Sequence, residues 1–287
     1  MISRRSRFVS LSFIWISTLL ITAGCQTSGV HELLPYRPTD YEEIERRLEA
    51  GANPNARNHE GRTLLWRAAL RGDERLVRIL IDYGADPTYP LRVKLGETAL
   101  HAAALQGQNE VIKILLAEGV DVDILSRSGI TPLHLAARWH QVSTVRLLLD
   151  RGADPNIRDK NGKGPLDGIG SSDRGDTYLE LVKLLVASGV PADQQAALGR
   201  TPLFDACLAG NEEVVEFLLN QGANPNHIDR SGRTPLMMAA FRCNVQILHQ
   251  LLAAGADPTT EDKEGKTALT IATDRGHIDA IRVLETR

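Results

Sequence analysis

The chain has 287 residues, of which 43% are apolar, 24% charged and only 5% aromatic, and its formal net charge is −3. This is ample apolar material for a folded body, and the acidic balance argues against nucleic acid as a partner. The charge is uneven, because residues 1–24 hold Arg4, Arg5 and Arg7 and no acid, so a chain lacking them is three charges more negative.

Met1–Arg7 is basic, and Phe8–Thr22 is a mostly apolar run broken by serines. A membrane-spanning helix needs roughly 20 apolar residues and this run is shorter, so a secretory signal peptide over 1–24 is expected. The run ends in Ala23-Gly24-Cys25. Small residues before a cysteine, after such a run, resemble the lipobox of bacterial lipoproteins, although Thr22 departs from the leucine usual there. That resemblance implies cleavage before Cys25 and acylation of Cys25. Ordinary cleavage and an uncleaved anchor are the alternatives. Acyl chains contribute about 0.8 kcal/mol per buried CH₂, enough in combination for a stable membrane hold. By the same resemblance, Gln26 in place of an aspartate implies the outer membrane, with the body facing the periplasm. Arg4-Arg5 also invites a twin-arginine reading, but Phe8 lies one place too far on. Residues 25–39 read as a lipid-anchored tether, because Ser28, Gly29, Pro35 and Pro38 discourage regular structure.

Residues 40–287 follow a different rule. Tyr41–Ala50, with Ile44 and Leu48 at i and i+4 and Gly51 behind them, predicts a lone helix. Its acids Glu42, Glu43, Glu45 and Glu49 suit an end cap in water. Then one motif recurs. Its threonine position is filled by Thr63, Thr98, Thr131, Gly164, Thr201, Thr234 and Thr267, at steps of 33 to 37 residues. In the most regular unit Thr131 suits a helix N-cap and Pro132 the first helical position. Ala136 and Ala137 allow a close helix neighbour. Val145, Leu148 and Leu149 form the stripe of a second helix, which Gly152 stops. Asp154-Pro155-Asn156 then breaks helical geometry, so each unit reads helix, helix, turn.

Departures mark particular units. Trp66 stands four places into the first unit, where packing explains it. The turn before Thr98 is longer and predicts a projecting finger tipped by Tyr89, Leu91 and Lys94. At Gly164 the alanines give way to Asp167-Gly168-Ile169-Gly170, so a short or broken first helix is expected. Its loop Ser171–Asp176 contains Arg174-Gly175-Asp176 and several acids, best read as a solvated insertion. Cys207 lies at a small-residue position and Cys243 replaces an inter-helix glycine, so a disulfide between them is not expected. The last unit closes with Ile278, Ile281 and Leu284 as its apolar stripe and Glu285 as a polar end.

Thr131-Pro132-Leu133-His134, its near copies at Thr98, Thr201 and Thr234, and the endings Gly84-Ala85-Asp86-Pro87, Gly152-Ala153-Asp154-Pro155, Gly222-Ala223-Asn224-Pro225 and Gly255-Ala256-Asp257-Pro258 resemble the ankyrin repeat. The resemblance implies an all-α solenoid of about seven helix-turn-helix repeats behind an N-terminal half-repeat cap. It also implies that His101 and His134 hydrogen-bond turn groups of neighbouring repeats, and that partners bind a concave strip made of the fingers and the exposed side of the first helices.

No metal-binding HExxH, GxSxG elbow, phosphate loop or dinucleotide fingerprint occurs. The chain is therefore read as a non-enzyme with no cofactor and no metal, monomeric, meeting a protein partner on one side and a membrane through its lipid. On the expected strip the residue before the threonine is Arg62, Glu97, Ile130, Lys163, Arg200, Arg233 or Lys266, and first-helix positions add Arg67, Arg71, Arg138, Trp139, Phe241, Arg242 and Arg275. Helix two carries much of the acid. Arg62, Arg67, Arg71, Tyr89, Arg138, Trp139, Arg200, Arg233, Phe241 and Arg242 are accordingly the expected partner-binding residues, facing an acidic contact, although basic residues at these turns also serve simply to solvate them. Analogy with periplasmic repeat lipoproteins suggests an immunity protein or inhibitor of an envelope-acting toxin or enzyme. A structural or stress-protection organiser in the periplasm is the alternative.

Overall fold

The computed structural model describes residues 41–91, 96–168 and 176–286. The expected signal peptide, Cys25, the tether, Lys94 and residues 169–175, with Arg174 and Gly175, lie outside the described residues. Within them the chain is all-α, without a strand; one isolated bridge joins Arg57 and Thr63. A lone helix α1 (Tyr41–Glu49) comes first. Pairs follow: α2 (Leu64–Arg71) with α3 (Glu74–Asp82), α4 (Ala99–Gln106) with α5 (Asn109–Ala117), and α6 (Pro132–Arg138) with α7 (Val142–Asp150). In the fourth unit a 3₁₀ turn, Leu166–Gly168, precedes α8 (Asp176–Ala187). Then come α9 (Pro202–Ala209) with α10 (Glu212–Asn220), α11 (Pro235–Arg242) with α12 (Val245–Ala253), and α13 (Ala268–Asp274) with α14 (Ile278–Glu285). The spacing predicts seven units behind a half-unit cap, with the first helix broken at Gly164, and among the described residues that is what forms, the fourth unit opening on a 3₁₀ turn.

Local chemistry starts and stops these helices. The hydroxyls of Thr63, Thr131, Thr201, Thr234 and Thr267 accept from the amide three residues on, at 3.1–3.3 Å, which satisfies a donor left open at each helix start. Pro132, Pro202 and Pro235 open α6, α9 and α11, where no amide is required. Between the two helices of a unit the chain turns left-handed, usually at glycine. Cys243 does so at φ +57 and His140 at φ +56.

First helices pack on first helices, α2 on α4 on α6 and α9 on α11 on α13, while α6 contacts the 3₁₀ turn. Second helices form a layer behind them, from α3 through α14. The fully buried alanines Ala68, Ala69, Ala103, Ala136, Ala137, Ala239 and Ala240 allow the close approach of the first layer. Leucines and valines of the second helices, such as Leu76, Val77 and Leu80 of α3 and Val214, Val215 and Leu218 of α10, fill the space between layers. Consecutive turns are also tied by side chains: Asn55, Asp123, Asp193 and Asn226 each accept the amide of Asp86, Asp154, Asn224 or Asp257 in the next turn, at 2.8–3.0 Å.

Three expectations need correction. Leu91 is not a fingertip residue: it is 3% exposed, because it occupies the inward register of the turn that Ser126, Asp159 and Asp229 fill elsewhere, all buried. Ile278 is 62% exposed. Core positions of a second helix are its third, fourth and seventh residues, as Leu76, Val77 and Leu80 show, so α14 buries Ala280 and Leu284, partly buries Ile281 and presents its first residue to water. Leu149 is only partly buried, beside fully buried Val145 and Leu148.

Candidate protein-binding face

Both signature histidines are consumed by the fold. The Thr98 amide donates to Nδ1 of His101 at 3.2 Å, which places the ring proton on Nε2, and Nε2 donates to the Ile130 carbonyl of the next unit at 2.9 Å. His134 repeats this with Thr131 and Lys163, at 3.2 and 3.0 Å. Burial pushes the His101 imidazole down to about 4 and lowers His134 as well. Neither serves as a base towards solvent. Cys207 is a free thiol, completely buried and pushed up by that burial. Among the described residues no group of three His, Cys, Asp or Glu side chains is arranged to hold a metal.

Nine of the ten expected contact residues fall into two rows, at opposite ends of helices eight residues or fewer long. At the N-terminal ends, Arg62 pairs with Glu60 at 3.0 Å and covers the Trp66 ring at 4.9 Å. Arg200 pairs with Asp205 at 3.4 Å, and Arg233 with Asp229 at 2.7 Å. Both arginines also flank the buried Phe204 ring, at 5.6 and 5.8 Å. Tyr89 sits in the turn beneath the Arg57 guanidinium, 4.3 Å away. At the C-terminal ends, Arg71 closes α2 and Arg138 closes α6, followed by Trp139 with 56% of its surface exposed. Phe241 stacks under Arg275 of the last unit at 3.4 Å, and Arg242 donates Nε to the Leu208 carbonyl at 2.6 Å. Arg67, in mid-helix, links the two rows. Arg62, Arg67, Arg71, Arg138 and Trp139 precede, and Arg200, Arg233, Phe241 and Arg242 follow, the unit that opens on a 3₁₀ turn among the described residues.

The basic row is therefore largely compensated within its own units, since Lys266 also meets Asp274 at 2.7 Å. Arg67 is among those of the strip that are left out of this pairing. It is half-buried and has no ion pair among the described residues; burial first, then Arg71 and Arg62, lowers its pKa, with Glu60 acting the other way. Glu97, in the next unit, is raised by burial while Arg62 and Arg138 pull it down, which places three units' charges within reach of one another. Arg67 is thus a half-buried guanidinium flanked by two further arginines, with Glu60 as the opposing charge.

Residues not singled out in the sequence also shape this face. Arg57 donates to the Pro90 carbonyl at 2.7 Å and carries Tyr89. Leu125 and Ile228 stand 56% and 53% exposed on their turns. Aligning the turns by period puts Arg57, Leu125, Arg158 and Ile228 in one register, which is the signal that reveals them. Asp167 and Asp205 are partly sheltered carboxyls raised by burial at the interrupted unit, and each is near enough to others for Asp205 to raise Asp167 further.

A family model described as ankyrin repeats (3 copies) matches residues 38–125, 84–159 and 171–262, well over half of the chain. Among solved structures, the chain is similar to the human ASB11 ankyrin repeat domain, at 28% identity and a TM-score of 0.67, over 78% of this chain and 97% of that one. It is also similar to an ankyrin repeat domain from Acinetobacter baumannii AYE, at 29% identity and a TM-score of 0.58, over 65% and 96%.

Proposed function

The chain belongs to the ankyrin-repeat family, and on that footing we propose that it is a non-enzymatic scaffold whose first-helix face grips an acidic surface of another protein. The observation that carries this reading is Arg67, half-buried among Arg62 and Arg71 without an ion pair among the described residues. A carboxylate brought by a partner would find there a desolvated cation rather than a hydrated one, and such pairs bind more strongly than rim charges. Exposed Trp139 beside Arg138 supplies the aromatic area that commonly dominates such contacts.

The reading extends to place. Ala23-Gly24-Cys25 behind an apolar run supports export and acylation at Cys25, so that the partner is met in the bacterial envelope. A cationic face held there suits an inhibitor or immunity protein for an envelope-acting enzyme.

Charge reversal tests the face. With Arg67→Glu and Arg138→Glu together, crosslinked recovery of envelope partners should fall at least ten-fold while helix content is unchanged; undiminished recovery discards this face. The anchor is tested apart from it: Cys25→Ser should abolish acyl labelling and release the chain from membranes, and an unlabelled wild-type chain rejects the anchor.

A further inference from the structure

The turns that lead into the third, fourth, fifth and sixth units share one chemistry at their tips, residues 125–129, 158–162, 195–199 and 228–232. Arg127, Arg158, Lys160 and Arg230 are exposed there. The two acids of these stretches, Asp159 and Asp229, are buried, and each accepts the backbone amides two and four residues further on, at 2.8–3.0 Å. Neither answers the charge outside. Among the described residues Arg158, Lys160 and Arg230 have no ion pair. Exposed acids ahead of the tips, such as Asp121 and Asp154, stand near the ends of α5 and α7 instead. The pattern stops towards both ends of the array, where the first tip carries Glu60 and the last carries Glu261 and Glu264 beside Lys263.

Apolar side chains stand among these charges. Leu125, Leu198 and Ile228 are 56%, 51% and 53% exposed. Leu198 is held left-handed at φ +70, while Ser128, Asn161 and Ser231 at the same place in their turns are not. A leucine adopts that conformation at a cost, and here its side chain gains no burial in return.

The tips form a row. The Lys160 amide donates to the Ser128 carbonyl and the Arg230 amide to the Leu198 carbonyl, each at 2.9 Å. Between these two pairs Arg158 donates Nη1 to the Gln195 carbonyl at 2.6 Å. Packed helices stand about 8–10 Å apart, so four successive tips span about 25–30 Å.

Such an edge suits a partner with no shape of its own. The three aliphatic side chains protrude singly, and no aromatic residue occurs in the four tips, whereas protein contacts favour aromatic anchors seated in pockets. Exposed Trp139 belongs to the first-helix face. An anionic lipid surface attracts each Lys or Arg that reaches it and takes aliphatic side chains between its headgroups. Arg158 and Arg230 line one recess of about 560 Å³ together with Asn161, Gln195 and His227, which gives room for a phosphodiester headgroup and its water. No helix among the described residues is long and apolar enough to cross a membrane, so the contact is with the surface.

We propose that these four tips form a docking edge for an anionic phospholipid bilayer, with Arg127, Arg158, Lys160 and Arg230 on its phosphates and Leu125, Leu198 and Ile228 between its headgroups. The edge is separate from the first-helix face and requires no acyl chain at Cys25.

Vesicles are the probe. The full chain carrying Cys25→Ser is mixed with phosphatidylcholine vesicles containing about one third phosphatidylglycerol, and with phosphatidylcholine alone. Hydrogen exchange at 125–129, 158–162, 195–199 and 228–232 should slow on the anionic vesicles only, while α10 and α12 stay unchanged. Arg127→Glu, Lys160→Glu and Arg230→Glu together should weaken the association about 100-fold at low ionic strength, with helix content unchanged. Leu198→Asn suits the left-handed position and should not lower the urea midpoint; combined with Ile228→Ser it should weaken the association about ten-fold. Tips whose exchange ignores anionic vesicles, or slows equally on neutral ones, overturn the edge, and so does association that survives both sets of substitutions. Tips protected by a crosslinked envelope protein and not by vesicles overturn the bilayer and leave a protein as the occupant. Vesicle protection that persists in Arg67→Glu with Arg138→Glu upholds this edge whatever becomes of the first-helix face.

Discussion

Acidification should unfold this array partly through His101. Its ring lies 0% exposed between two units, neutral, with Nδ1 accepting from Thr98 and Nε2 donating to Ile130. Burial pushes it from an ordinary value of 6.5 down to about 4, with the Ile130 carbonyl opposing and His134 adding slightly. Below pH 6.5 the unfolded chain therefore binds a proton that the folded chain refuses, and stability falls as pH drops until the folded ring also titrates. A difference of about 2.5 pH units at 1.36 kcal/mol each makes the loss about 3 kcal/mol by pH 4. Asp167, Asp205 and Glu97 are raised by burial and act in the opposite direction over the same range, so the comparison must be between variants. His101→Gln puts an uncharged amide where the ring stood, able to accept from Thr98 as glutamine does in a capping box. Urea unfolding of both proteins from pH 7 to pH 4 should show the wild type losing about 3 kcal/mol more than His101→Gln. Parallel curves would refute the argument, because they would mean that the folded ring takes up its proton as readily as the unfolded one.

Two stability changes follow from particular positions. Cys243→Gly removes a side chain from the left-handed position φ +57 and should raise the unfolding free energy by about 0.5–1 kcal/mol, read by urea midpoint; a loss of stability means that the partly buried sulfur packs better than the backbone relaxes. Leu115→Ala empties a fully buried position of α5 and should cost about 2–5 kcal/mol. Hydrogen exchange should then accelerate most in the units that α5 touches and least in α12 and α14, as expected of an array held by neighbours; uniform acceleration along the chain would contradict that.

Much of the fold was legible because each unit states its own limits. Thr131 and Pro132 fix where α6 begins, Gly152 fixes where the chain leaves α7, and His134 sits where its ring must meet the next turn. The break at Gly164 was legible for the same reason, since losing threonine and both alanines removes cap and close packing at once. The basic row was legible as residues but not as a field. Arg233 and Asp229 are four apart in sequence, yet only the turned backbone brings Nη2 to 2.7 Å from the carboxylate; Lys266 and Asp274 stand eight apart and meet across a helix turn.

Leu91 and Ile278 are placed by register rather than by hydrophobicity, and register is fixed only when turns are compared across the whole array.

The period, the helix starts and stops, and the interrupted unit were determined by the sequence alone, because caps, proline, glycine and apolar stripes act within a few residues of themselves. Tertiary structure alone decided which arginines are already spent on neighbouring acids and which side chains face inward. Those outcomes depend on groups brought together from units roughly one repeat apart, such as His101 and Ile130 at a separation of 29 residues, and no local preference of the chain encodes their meeting.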